Sequence, residues 1–228
     1  MQRINLNVRR KTGYSIGVII VTLVIISLIL PQSKILHANG PSNTGHKNLK
    51  CRHCHTIEVG TIRQRLQANI QYLFGQRTKA VSFGLKPVSN EQCIFCHDRP
   101  NDRHPVYRFF EPKYKKIQKL IQPQFCISCH IEHSGKRVTS KMDFCKNCHS
   151  KLKIKKDPVT KTHQKIVLDK DWSSCLGCHD YHGNHRMKVN KIYKNRISKN
   201  KLAGYFNSMK SPYSKSKFYK VPANKLED

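Results

Sequence analysis

The sequence predicts a mostly α-helical chain with much irregular structure, organised around bound groups rather than an apolar interior, and preceded by one N-terminal transmembrane helix. Three observations predict this. No stretch alternates apolar and polar residues as a half-buried strand would. Only 38% of the 228 residues are apolar, and many of those sit in one N-terminal run. A domain so poor in core draws on disulfides, metals or cofactors for stability. Finally, one five-residue pattern recurs: "CRHCH" at 51–55, "CIFCH" at 93–97, "CISCH" at 126–130, "CKNCH" at 145–149 and "CLGCH" at 175–179.

The N-terminus opens with Arg3, Arg9, Arg10 and Lys11, followed by 18 uncharged residues from Gly13 to Leu30 and then Pro31. That run is long enough to cross a bilayer core and long for the apolar part of a signal peptide. The basic flank stays cytoplasmic, so the rest of the chain is expected on the extracytoplasmic, periplasmic side of the inner membrane, tethered by a single pass. A cleaved signal is the alternative. Ala38 is the candidate cleavage residue, with the large Leu36 where a small side chain is preferred. Residues 1–31 are thus the basic flank and anchor (or uncleaved signal), and 32–45 a polar linker.

Residues 46–185 form the cysteine-rich domain. Ile62, Leu66, Ile70 and Phe74 recur four apart within 60–80 and predict a helix with one apolar face. An aromatic cluster (Tyr107, Phe109, Phe110) follows, then a short helix near Tyr114–Ile121 between Pro112 and Pro123. From 126 to 185 the chain is dense in Cys and His, with little apolar periodicity. Residues 186–228 carry twelve Lys/Arg, two acidic residues and neither Cys nor His. Composition makes this a solvated basic tail, or an arm that docks an acidic partner or the membrane surface.

All ten cysteines lie in the five motifs. That argues against a disulfide scaffold, whose spacings vary freely, and for one shared task. The motifs start 42, 33, 19 and 30 residues apart, so a site recurs rather than a structural repeat. Cys-x-x-Cys-His is the attachment signature of c-type haem. On one helical turn, residues i, i+3 and i+4 share a face. Two thiols can then add to the haem vinyl groups while the histidine lies beneath the iron. Five covalently held porphyrins would also supply the missing apolar interior. Zinc is the main competing reading, but zinc sites combine two half-sites and do not require His directly after the second Cys.

Five haem c groups are therefore expected, held by Cys51, Cys54, Cys93, Cys96, Cys126, Cys129, Cys145, Cys148, Cys175 and Cys178. The proximal iron ligands are His55, His97, His130, His149 and His179. Methionine is scarce near the motifs, only Met142 and Met187, so sixth ligands should be histidines, which implies low potentials. Distal candidates are His46, His104, His133, His163 and His182, with His185 competing with His182. His133 and His182 each follow a motif histidine by three residues. Lying on the same helix face, such a pair cannot reach opposite faces of one iron, so each is expected to serve a neighbouring haem. His53, inside the first motif, and His37, beside the membrane segment, are expected not to be ligands.

The five motifs and the two extensions "CHIEH" and "CHDYH" resemble the multihaem c-type cytochromes, in particular the class III, cytochrome c3-like group with bis-histidine haems. The resemblance spans about residues 46–185. It implies little regular secondary structure and low-potential electron transfer. The N-terminal anchor is similar to that of the NapC/NrfH quinol dehydrogenases. That family usually has four haems and a Met two residues after its first motif; this chain has five motifs and Ile57 there. Five-haem nitrite reductases share the count, but leave one haem open and typically use Lys as its proximal ligand.

The expected function is electron transfer without bond-making in a substrate, so no catalytic residues are assigned. Quinol dehydrogenase activity, or reduction of a small nitrogen or sulfur species at one open haem, is the alternative. With 43 Lys+Arg against 13 Asp+Glu, a net +30, the chain suits redox partners with an acidic docking surface. A membrane quinol is a partner under the alternative, and nucleic acid is not expected.

Overall fold

The computed structural model describes residues 6–29, 38, 40–83 and 85–226. His37, Leu36 and the first five residues lie outside the described residues. The architecture is helical and irregular. Helix α1 runs Leu6–Ile29, α2 Ile62–Leu73, α3 Asn90–His97 and α4 Lys115–Ile121. These are followed by α5 Lys146–His149, α6 His163–Leu168, α7 Cys175–Cys178 and α8 Lys199–Phe206. Among the described residues, extended pairing is confined to two isolated bridges, Ile57 with Leu85 and His185 with Lys217.

Within α1, Val8–Ser27 is long and apolar enough to cross a membrane, and none of it is buried against the rest of the protein. The helix begins before the uncharged run and takes in Arg9, Arg10 and Lys11. Helix α2 starts at Thr61, whose hydroxyl accepts from the Gln64 N–H while the Gln64 side chain accepts from the Thr61 N–H. This reciprocal cap satisfies two otherwise orphaned donors. The helix ends at Leu73, so Phe74 falls just beyond it. Its expected apolar face is present but exposed: Leu66 is 52% and Ile70 45% accessible. The helix expected between Pro112 and Pro123 is a 3-10 turn, Pro112–Tyr114, running into α4. Gln122 then adopts a left-handed conformation (φ 48°) and stops it.

The tightest packing is C-terminal. Leu176, Leu202 and Tyr213 form a buried cluster, joined by Phe144, Tyr181, Met187 and Phe206 among others. Residues 186–226 depart from the expected solvated tail. Ser198 caps α8, and Leu202 in its middle is wholly buried. The Tyr213 hydroxyl donates to the Leu176 carbonyl at 2.8 Å, and the Tyr219 hydroxyl to the Cys96 carbonyl at 2.7 Å. Arg137 donates to the Tyr205 carbonyl and stacks its guanidinium 4.1 Å from the Tyr205 ring centre. Overall charge predicts solvation only where apolar side chains are lacking. Here Leu202, Tyr205, Phe206 and Tyr213 fold the strand of basic residues back onto the fifth motif.

Candidate metal centres

Each motif closes one tight turn. The histidine N–H donates to the carbonyl of the first cysteine, at 2.8 Å in motif 1, 3.0 Å in motif 3 and 2.9 Å in motifs 4 and 5. Motif 2 forms the end of α3. None of the ten cysteines is paired in a disulfide. The thiols of Cys93 and Cys126, the first cysteines of motifs 2 and 3, lie close to each other, as do those of Cys145 and Cys175 of motifs 4 and 5. Asn90, at the start of α3, clamps motif 3 by donating to the Gln124 carbonyl and accepting from the Cys126 N–H. Motifs 2 and 3 thus lie side by side, as do motifs 4 and 5.

Ten of the thirteen histidines fall into five pairs, one motif histidine in each. Ring centroids are 6.3 Å apart for His55 and His133, and 6.0 Å for His97 and His46. They are 6.2 Å apart for His130 and His182, 6.4 Å for His149 and His104, and 6.2 Å for His179 and His163. This is a test of fit for a metal between the rings. With metal–nitrogen bonds of roughly 2 Å and ring centres about 1.1 Å behind each nitrogen, two imidazoles on one metal stand about 6.2 Å apart. All five spacings meet that value.

The second ring nitrogen is engaged in every non-motif member of these pairs. His46 Nδ1 donates to Glu132 at 2.9 Å, His182 to Asp102 at 3.0 Å and His163 to Asp157 at 3.0 Å. His104 Nδ1 donates to the Tyr181 carbonyl at 2.7 Å and His133 to the Gly40 carbonyl at 3.2 Å. Holding Nδ1 fixes the tautomer and leaves Nε2 with the lone pair, the arrangement metal-bound histidines use. Among the motif histidines, His130 is held the same way by the Arg137 carbonyl at 2.7 Å. Burial pushes His97 down to about 4, with the neighbouring Arg99 charge adding to it. Burial likewise lowers His130, His179 and His104. These imidazoles are neutral at pH 7, as ligation requires. His46 is raised, chiefly by its bond to Glu132.

His133 and His182 turn away from their own motifs, although not for the helical reason expected. Motif 3 holds only a 3-10 turn, Cys126–Ser128, and His133 has left-handed backbone (φ 61°). That conformation is uncommon outside glycine. It aims the imidazole at His55. Gly40 accommodates the turn, since a Cβ there would lie 2.4 Å from the His133 carbonyl oxygen. His179 is already extended, with ψ 132°.

His185 is not brought to a motif histidine. It is buried, donates from Nδ1 to Asp180 at 2.8 Å and tilts against Tyr213, with centroids 5.1 Å apart. His53 stays with its own turn, where Nδ1 meets the Lys50 backbone. Sequence reading missed Asp102, Glu132 and Asp157 as partners of the histidines. "NDRHP" and "CHIEH" place two of these acids near histidines, but each reaches a different histidine from its neighbour: Asp102 holds His182, 80 residues on, and Glu132 holds His46, 86 residues back. Tyr181 was also missed. Its ring stacks on His104 at 4.3 Å and meets His182 edge-on at 4.9 Å.

Residues 76–150 match the family model for cytochrome c3. That stretch holds motifs 2, 3 and 4 and excludes the first and fifth. The match supports a multihaem cytochrome, with c-type haem as its cofactor and electron carriage as its role. No curated protein and no solved structure matches the chain.

Proposed function

We propose that this chain is a pentahaem c-type cytochrome that relays electrons outside the inner membrane, to which α1 anchors it. Number the haems 1 to 5 in motif order. Cysteines 51/54, 93/96, 126/129, 145/148 and 175/178 hold them. The proximal histidines are His55, His97, His130, His149 and His179. Their distal partners, in the same order, are His133, His46, His182, His104 and His163. When bound, each haem supplies an iron that exchanges one electron.

The observation that carries this reading is the set of five histidine pairs at 6.0–6.4 Å. It favours a carrier over a reductase, because every motif histidine already faces a second imidazole, which would take the place a substrate needs at a bound haem. The cross-pairing also favours closely spaced haems. Four of the five pairs join one motif to a histidine from outside its immediate neighbourhood. Removing one such histidine would therefore disturb two segments at once. The Nδ1 bonds would hold the five distal histidines still while a bound haem exchanged an electron. The basic surface fits acidic redox partners, met through transient contacts whose rate falls with ionic strength.

The test is the mass and the electron paramagnetic resonance (EPR) spectrum of protein matured in an export-competent host. Five covalent haem additions and an entirely low-spin ferric spectrum are expected. Fewer additions, bound zinc, or a high-spin signal that shifts with added nitrite would overturn the proposal. Retention of full-length chain in washed membranes tests the anchor against a cleaved signal.

A further inference from the structure

The five distal histidines differ in what holds their Nδ1. For haems 2, 3 and 5 it is a carboxylate: Glu132 on His46, Asp102 on His182 and Asp157 on His163. For haems 4 and 1 it is a backbone carbonyl, of Tyr181 on His104 and Gly40 on His133. The carboxylates are built in rather than incidental. Asp157 also accepts from the His163 and Val159 backbone N–H groups, Asp102 from the His104 N–H and Glu132 from the Asn43 N–H. The bonds from Val159, His104 and Asn43 orient each acid from a residue other than the histidine it holds.

An anionic acceptor draws the Nδ1 proton further than a neutral carbonyl does, and so makes Nε2 the stronger donor. It also places a negative charge near the metal in a partly buried site, where screening is weak. Both effects favour ferric over ferrous iron. We propose that Glu132, Asp102 and Asp157 are positioning residues that set haems 2, 3 and 5 at lower reduction potential than haems 1 and 4. The inference rests on the bis-histidine reading above. Reduction adds one electron to one iron; no bond breaks, and the Nδ1 proton stays between histidine and acid. Electrons entering a partly reduced protein would then collect on haems 1 and 4. Haems 2, 3 and 5 would be the higher-energy sites.

The test takes the holoprotein through spectroelectrochemical titration and ferric EPR, for wild type and for Glu132→Gln, Asp102→Asn and Asp157→Asn separately. The amides keep the shape; Glu132→Gln and Asp102→Asn can still accept their backbone bond through the amide oxygen, and Asp157→Asn keeps one of its two. In each variant, one-fifth of the haem absorbance should titrate at higher potential. At fixed ambient potential the reduced-to-oxidised ratio of that fraction should rise about tenfold, or about 59 mV for a one-electron couple. One ferric signal should shift with it. Asp169→Asn removes a surface carboxylate paired, among the described residues, with Lys161 and Lys165, and should leave the titration unaltered. Unshifted titrations in all three variants, with five low-spin haems still attached, would overturn the proposal. Should a variant fail to mature, wild type decides alone: two-fifths of the absorbance reduces before three-fifths if the inference holds, and three-fifths first, or one unresolved wave, sinks it. A wild-type protein with missing or high-spin haems would instead sink the underlying reading.

Discussion

The first and fifth motifs share a signature and sit in opposite surroundings. Around motif 5 the protein supplies its own interior: Leu176 is 4% exposed, Leu202 is fully buried, and Cys178 is buried too. Around motif 1 it supplies almost none. Cys51 is exposed, and α2 buries only Ala68 while Leu66, Ile70 and Leu73 face outward. Under the proposed reading both regions would have to exclude water from a cofactor, and they would divide the work differently. At the fifth site the polypeptide packs on itself, and a bound porphyrin would add to a standing core. At the first site the apolar side chains have little protein to meet, and a bound porphyrin would be the surface they lack.

The largest expected effect follows directly. Cys51→Ala with Cys54→Ala, which prevents attachment at the first site, should strip hydrogen-exchange protection from α2 almost entirely. The equivalent pair at Cys175 and Cys178 should leave α8 measurably protected, because Leu202 and Tyr213 still pack there. Equal loss in both variants would erase the distinction. Next in size is Leu202→Ala, which empties a fully buried site. It should cost about 2–5 kcal/mol in denaturant unfolding. Leu120→Ala, on the exposed side of α4, should stay within about 0.5 kcal/mol.

Smaller again is Tyr213→Phe, which takes away the hydroxyl bond to the Leu176 carbonyl and should cost about 1 kcal/mol. It carries a pH signature. Burial raises the phenol of Tyr213 above its ordinary value, with Asp180 adding to it, and burial does the same for Tyr205. In an unfolded chain tyrosine ionises near about 10. A raised folded value therefore gives stability that is complete below about 10 and is lost as pH climbs from there toward the folded value. Alkaline titration followed by hydrogen exchange should open the C-terminal cluster first, and Tyr213→Phe should weaken that alkaline dependence. Opening that begins at α2 would reverse the comparison.

What was legible in the sequence, and what was not, follows the same line. Motif spacing needs only one helical turn, so it could be read locally. The helix around 62–73 was equally local, because a four-residue apolar period needs no tertiary partner. The scarcity of methionine left histidines as the only sixth ligands to consider, and the five expected first are the five the fold brings to motif histidines. His185 was indistinguishable from His182 by spacing; Asp180 and Tyr213, brought in by the fold, set them apart. The Nδ1 acceptors were out of reach because they come from far along the chain, or, for Gly40 and Tyr181, from backbone carbonyls that carry no residue signature. The tail misled for a related reason. Charge counting averages over a segment, whereas a single leucine at 202 with aromatics at 205, 206 and 213 is enough to dock it.

The smallest effect tests the comparison most finely, because it changes the same chemistry in both places. Thr61 caps α2 and Ser198 caps α8, each accepting from a backbone N–H in the first turn. Alanine at either position should remove about 0.5–1 kcal/mol of helix stability. The two losses should surface differently. Most of a helix's stability in a protein comes from the face it packs, and α8 is packed through Leu202 into the cluster that holds motif 5. Fraying α8 therefore pulls on the global unfolding transition, and Ser198→Ala should lower the melting temperature by roughly 1–4 °C. Helix α2 is joined to the rest by fewer contacts, chiefly Asn69 bonded to the Val81 backbone and Arg65 to the Phe83 and Glu58 carbonyls. Thr61→Ala should therefore speed exchange at residues 62–66 with little movement of the melting temperature. A melting shift for Thr61→Ala as large as that for Ser198→Ala would mean that α2 is as deeply embedded as α8, with the haem at the first site packing it as tightly as protein packs the fifth.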